Sequence, residues 1–128
     1  MDVTRTRRSP LRLAALWAPP LVLMGVIYAL SAQPDLSSGL GTFDFILRKI
    51  VHMTEYALLL FLWWRALRDA MPTRAAIALA FAVTLLYSVS DEWHQSYVNG
   101  RHGTPIDVGI DTVGMLVATA LILRSSER

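Results

Sequence analysis

Four long apolar runs divide this chain, at about 11–32, 50–67, 75–89 and 108–123. They constrain its fold more than any motif does. A bilayer core is ~30 Å thick, so a spanning helix needs ~20 residues. The first run is long enough on its own. The others reach full length only by taking in polar flanks: Lys49 and His52 in the second, Asp91 and His94 in the third, Asp107 and Asp111 in the fourth. A soluble four-helix bundle would need a polar outer face on every helix, and segments 58–64 and 75–86 have none. Charged residues make up 17 % of the chain, below the roughly 25 % of soluble domains. The expected fold is all-α: a four-helix transmembrane bundle over 11–124, between a basic tail at 1–10 and a short tail at 125–128. With no cysteine in the sequence, disulfides, zinc-thiolate sites, iron–sulfur clusters and thiol nucleophiles are excluded. A net charge of +2 gives no reason to expect a nucleic-acid partner.

The first run has a rival reading as a cleavable leader. A basic head precedes it, and Ala29-Leu30-Ser31 ends it in small residues. Its length and the Pro19-Pro20 pair favour a span. Proline disturbs a helix interior, so the regular helix is expected to begin near Pro19, with residues 11–18 leading in along the interface.

Charge sets the expected orientation. Arg5, Arg7, Arg8 and Arg12 lie before or at the head of the first run, Arg65, Arg68 and Arg74 lie from the tail of the second to the start of the third, and Arg124 and Arg128 follow the fourth. Alternating spans place all of these at one end. Only Arg48, Lys49 and Arg101 fall at the other. The positive-inside rule then puts both termini in the cytoplasm. Trp63, Trp64 and Trp93 stand near span ends, where indoles favour the interface.

The acidic residues have the opposite distribution. Asp35, Asp44, Glu55, Asp91, Glu92, Asp107 and Asp111 gather toward the outer end, together with His52, His94 and His102. Lys49, His52, Glu55 and Tyr56 follow i, i+3, i+6 and i+7, which is one helix face. Thr84, Tyr87, Ser88, Asp91, His94 and Gln95 form a second polar stripe. Asp107 and Asp111, one turn apart, form a third. A carboxylate at the bilayer centre costs at least ~2.5 kcal/mol, so the three stripes are expected to converge in one outward-opening polar pocket. The connector at 98–105 carries an Asn-Gly turn signal and could fold Arg101 back over that pocket. Gly114 and Ala118, four residues apart, suit a close helix–helix approach.

The sequence resembles the VanZ-like family of small bacterial membrane proteins. The resemblance rests on Ser31-Ala32-Gln33-Pro34, Lys49-Ile50-Val51-His52, Glu55-Tyr56 and Leu58, then Asp91-Glu92-Trp93-His94-Gln95, Gly100-Arg101, Asp107, Asp111 and Gly114. The chain departs from the family pattern at Asn99, where Pro is usual, and at Asp111, where Asn is usual. The second departure adds an acid to the expected pocket. The resemblance implies a multi-span protein of the bacterial inner membrane. The family's founding member is linked to teicoplanin (glycopeptide) resistance.

Several chemistries fit such a pocket. The simplest role is helix adhesion through hydrogen bonds, with His52–Glu55 or Asp91–Arg101 as structural pairs. A catalytic site would act on a cell-envelope or lipid-linked precursor. Glu55 or Asp91 would be the general base, His52 or His94 would shuttle protons, and Lys49 and Arg101 would bind an anionic headgroup. Tyr56, Glu92, Gln95, Asp107 and Asp111 would complete the substrate site. A non-catalytic pocket would bind or shield a lipid or glycopeptide headgroup. No metal or other cofactor is expected. The alternative is a small ion or metal site, with the metal held by His52, Glu55, Asp91 and His94, since His-x-x-Glu and Asp-x-x-His each place two ligands one turn apart. A transporter of this size would have to oligomerise. Nucleophile elbows, phosphate-cradling glycine loops and metalloprotease motifs are absent from the sequence.

Overall fold

The computed structural model describes residues 9–31, 42–95, 97 and 105–126. Within them the chain forms four helices: α1 (Pro10–Ser31), α2 (Thr42–Leu67), α3 (Thr73–Gln95) and α4 (Pro105–Ser126). No strand occurs among the described residues. Three helices, α1, α3 and α4, are long and apolar enough to cross a membrane. The fourth, α2, carries Arg48, Lys49, His52 and Glu55 in its first half. It begins eight residues before the apolar run that announces it.

Local signals account for the helix ends. Ser9 caps α1, accepting the Arg12 amide on Oγ at 3.1 Å, while the Leu13 amide bonds the Ser9 carbonyl at 3.0 Å. Pro10 then occupies the first helical position, where its missing N–H costs nothing. At the far end of α2 the chain turns within a few residues, with the Ala70 and Met71 amides both bonded to the Leu67 carbonyl. Pro72 follows, and α3 starts at Thr73.

One expectation needs correction. The helix does not begin near Pro19: α1 is continuous from Pro10, with Pro19 and Pro20 in its interior. Proline has no N–H to give the carbonyl four residues back, so Pro19 leaves the Ala15 carbonyl without its helical donor. Arg65 of α2 supplies one, Nη2 donating to the Ala15 oxygen at 2.8 Å. A neighbouring helix thus repairs the gap, as spanning helices require. Arg12 also pairs with Asp69 at 2.9 Å. The start of α1 and the α2–α3 turn therefore share one end of the bundle, with Arg65, Arg68 and Arg74 beside them.

The bundle is inside-out by the standard of a soluble protein. Leu11, Val22, Leu86, Ile106, Leu116 and Leu121 are exposed, while Thr84, Ser88, Asp91, Glu92, Asp107 and Asp111 are buried. An exterior this apolar belongs against hydrocarbon rather than water. The helix carrying the most charge touches all three others, whereas α1 and α4 do not touch one another among the described residues. Lys49 and His52 of α2 are directed at acids of α4. Along the seam of α2 with the parallel α4, a Cβ added to Gly114 would lie 3.1 Å from the Met53 carbonyl carbon and closer still to its oxygen. Only glycine allows the backbones to approach so closely.

The indoles divide. Trp93 is exposed, with its ring edge-on to Tyr97 at 5.5 Å. Trp63 and Trp64 lie near the end of α2 and are buried. Trp63 packs edge-on against Trp17 of α1 at 5.8 Å, and Arg68 sits over the Trp64 ring at 4.7 Å. The reason is rotational. Both face the neighbouring helices.

Candidate functional site

The polar end of the bundle is built from one face of each of three helices. On α2, Lys49, His52 and Tyr56 recur at helical spacing. Ser88 and Asp91 do the same on α3, and Asp107 and Asp111 on α4. Asp111 is where the faces meet. It is 1 % exposed, and both carboxylate oxygens are engaged. His52 donates from Nδ1 to Oδ1 at 2.9 Å, and Ser88 donates from Oγ to Oδ2 at 2.8 Å. A carboxylate can be buried at this depth because two donors replace its water.

Two further bridges flank this centre. One turn toward the end of the bundle, Lys49 pairs with Asp107. Asp107 also stands in the first turn of α4, where the helix dipole favours an anion. On the other side, the buried Tyr56 donates its hydroxyl to Asp91 Oδ2 at 3.1 Å. The His52 and Tyr56 ring centroids are 5.6 Å apart, and those of Tyr56 and Tyr87 are 6.3 Å apart. Tyr87 reaches across to donate to the Met24 carbonyl of α1. Glu55 is half-buried and within charge-interaction range of His52, Asp91 and Asp111. Glu92 is buried as well.

The geometry thus brings together Lys49, His52, Tyr56, Asp91, Asp107 and Asp111. The hydrogen-bond partner of His52 is Asp111 of α4, not Glu55 of its own helix. One partner of Asp91 is Tyr56. His94 stacks on Tyr28 of α1, with centroids 4.5 Å apart and planes at 27°. Among the described residues no three acid or histidine side chains gather as a metal site. The Gln95 side chain and Arg101 lie outside the described residues.

Two participants were not singled out by sequence reasoning. Ser88 belongs to the polar stripe of α3, three residues before Asp91, and that position was its signal. Tyr28 had none, since a lone tyrosine in an apolar run reads as packing.

With Nδ1 donating to Asp111, a neutral His52 ring carries its lone pair on Nε2. Carboxylate-held histidines serve as bases in this form. The same set of bonds is equally able to fasten three helices together.

No curated protein and no solved structure matches this chain. A family model does match, that of VanZ/LLP1, over residues 4–125. That span takes in all but the last residue of the four helices and every residue of the polar network, so the chain is a helical membrane protein and belongs to the VanZ/LLP1 family.

Proposed function

We propose that the polar end of the bundle is a site that acts on the headgroup of a cell-envelope or lipid-linked substrate. The observation that carries this reading is the buried Asp111, engaged by His52 and Ser88 from two other helices. His52 Nε2 is the proton acceptor, and Asp111 is a positioning residue that fixes the ring. Glu55, within charge range of both, is a second proton carrier. Lys49, Arg101, Tyr56, Glu92, Gln95 and Asp107 bind and orient the headgroup, and Asp91 and His94 complete the acid–base set. The bundle lies in the bacterial inner membrane with both termini on the cytoplasmic side, because its basic residues gather at one end. The site then opens outward at headgroup depth, where the polar part of a membrane-anchored precursor resides. The family connection to glycopeptide resistance suits an envelope substrate.

A second reading is favoured by one feature of the network. Its bridges pair with one another (Lys49 with Asp107, His52 and Ser88 with Asp111, Tyr56 with Asp91). A site so satisfied could hold or shield a headgroup without turning it over.

Reconstituted protein offered lipid-linked cell-wall precursors separates the two. A new product by mass spectrometry, lost in His52→Gln and Asp111→Ala protein that still inserts, is the expected result. Retention without a product would establish the second reading. Neither product nor retention would refute both.

A further inference from the structure

Away from the polar end, a groove of about 340 Å³ runs along the seam of α2 and α4. Ala57, Phe61 and Trp64 form one wall, and Ala118, Leu121 and Ser125 lie on the other. Seven residues separate Ala57 from Trp64, so the groove is ~10 Å long at 1.5 Å per residue. It begins near mid-membrane, is apolar along its length, and ends at the basic end of the bundle.

That mouth carries two cations. Arg68 lies over the ring of Trp64, itself a wall residue. Arg124 is exposed immediately before Ser125 on α4. Among the described residues neither arginine is paired with a carboxylate. The groove therefore combines a hydrocarbon-lined trough with a doubly positive rim at headgroup level. Those are the two halves of an anionic phospholipid.

We infer that this groove is a binding site for one anionic phospholipid, with an acyl chain between α2 and α4 and its phosphate at Arg68 and Arg124. A zwitterionic lipid would fill the trough equally well but gain less at the rim. Each arginine near the surface favours an anionic lipid by roughly fivefold. The site shares none of the groups assigned to the polar end, so either can fail without the other.

The direct test titrates the unmodified protein, in neutral detergent, with phosphatidylglycerol and with phosphatidylcholine of the same chain length, and counts bound lipids by native mass spectrometry. The expected result is one phosphatidylglycerol retained at least fivefold more strongly than phosphatidylcholine, with the preference abolished in Arg68→Gln/Arg124→Gln protein. Location is read separately, with Trp17, Trp63 and Trp93 replaced by Phe so that Trp64 alone reports. Phosphatidylglycerol brominated on its chains should quench Trp64, and Ala57→Leu, which fills the groove wall, should at least halve that quenching. Equal retention of the two lipids would overturn the proposal. So would a preference that survives loss of both arginines, or a dimer whose dissociation is needed before any lipid binds, since a second copy would then be the occupant.

Discussion

The Arg65–Ala15 bond makes a quantitative demand on the fold. Arg65 donates to a carbonyl that exists as an open acceptor only because Pro19 stands four residues later. Replacing Arg65 with Met keeps most of the side chain's packing but removes the donor. A hydrogen bond with a charged partner contributes about 1.5–3 kcal/mol in proteins generally. Interhelical bonds in one well-measured membrane protein average ~0.6 and reach ~1.7 kcal/mol. The Arg65–Ala15 contact lies at the basic end and is exposed, where water competes, so we expect Arg65→Met to cost about 1 kcal/mol. In a Pro19→Ala background the Ala15 carbonyl regains its helical donor, and the same substitution should cost almost nothing there. The four proteins (natural, two single and one double variant) can be compared by reversible unfolding in mixed micelles, followed through tryptophan fluorescence. A coupling near 1 kcal/mol is the expected outcome. Additivity within ~0.3 kcal/mol would show that Arg65 does not repair the proline gap.

Other consequences can be checked in the same assay. Gly114→Ala should destabilise the bundle by about 1–3 kcal/mol, the usual cost of overpacking, because its methyl would meet the Met53 carbonyl; Gly109→Ala, with open space around it, is the matched control and should cost no more than ~0.5 kcal/mol. Asp111→Ala should cost roughly 3 kcal/mol by stranding His52 and Ser88, whereas Asp111→Asn, which can accept from one and pair with the other, should stay within about 1 kcal/mol of the natural protein. An equal loss in both would mean that charge, not hydrogen bonding, holds the three helices. Arg12→Ala should change stability by no more than ~0.5 kcal/mol, since the Arg12 side chain is largely in solvent; a larger loss would show that this pair fixes the start of α1.

Much of this architecture was legible in residue order. The four apolar runs gave the four helices, and the position of Gly114 marked a close helix approach, which the fold makes with α2. Periodicity also showed that His52, Asp91 and Asp111 lie on polar faces. It could not give their partners. A helical repeat fixes which side of a cylinder a residue occupies, but not which neighbour that side meets. That is why His52 found Asp111 on α4 rather than Glu55 one turn away, and why His94 lies against Tyr28. The burial of Trp63 and Trp64 depends on the same choice of neighbour. Continuity of α1 through Pro19 was hidden more deeply, because the donor that permits it is Arg65, on another helix. The start of α2 at Thr42 was obscured by Asp44, Arg48 and Lys49, which look like a connector; the reason Lys49 is helical, its pairing with Asp107, lies on another helix.

The central position of α2 bears on how the protein is made. Its cations emerge from the ribosome before the acids that neutralise them. Lys49 and His52 depend on Asp107 and Asp111, which lie on the last helix to be synthesised. A nascent chain that stopped short of Pro105 would hold an ammonium and an imidazole with no counter-ion from α4. The two ion pairs that join the second helix to the fourth therefore form only after the fourth is made, and an unfinished chain lacks both.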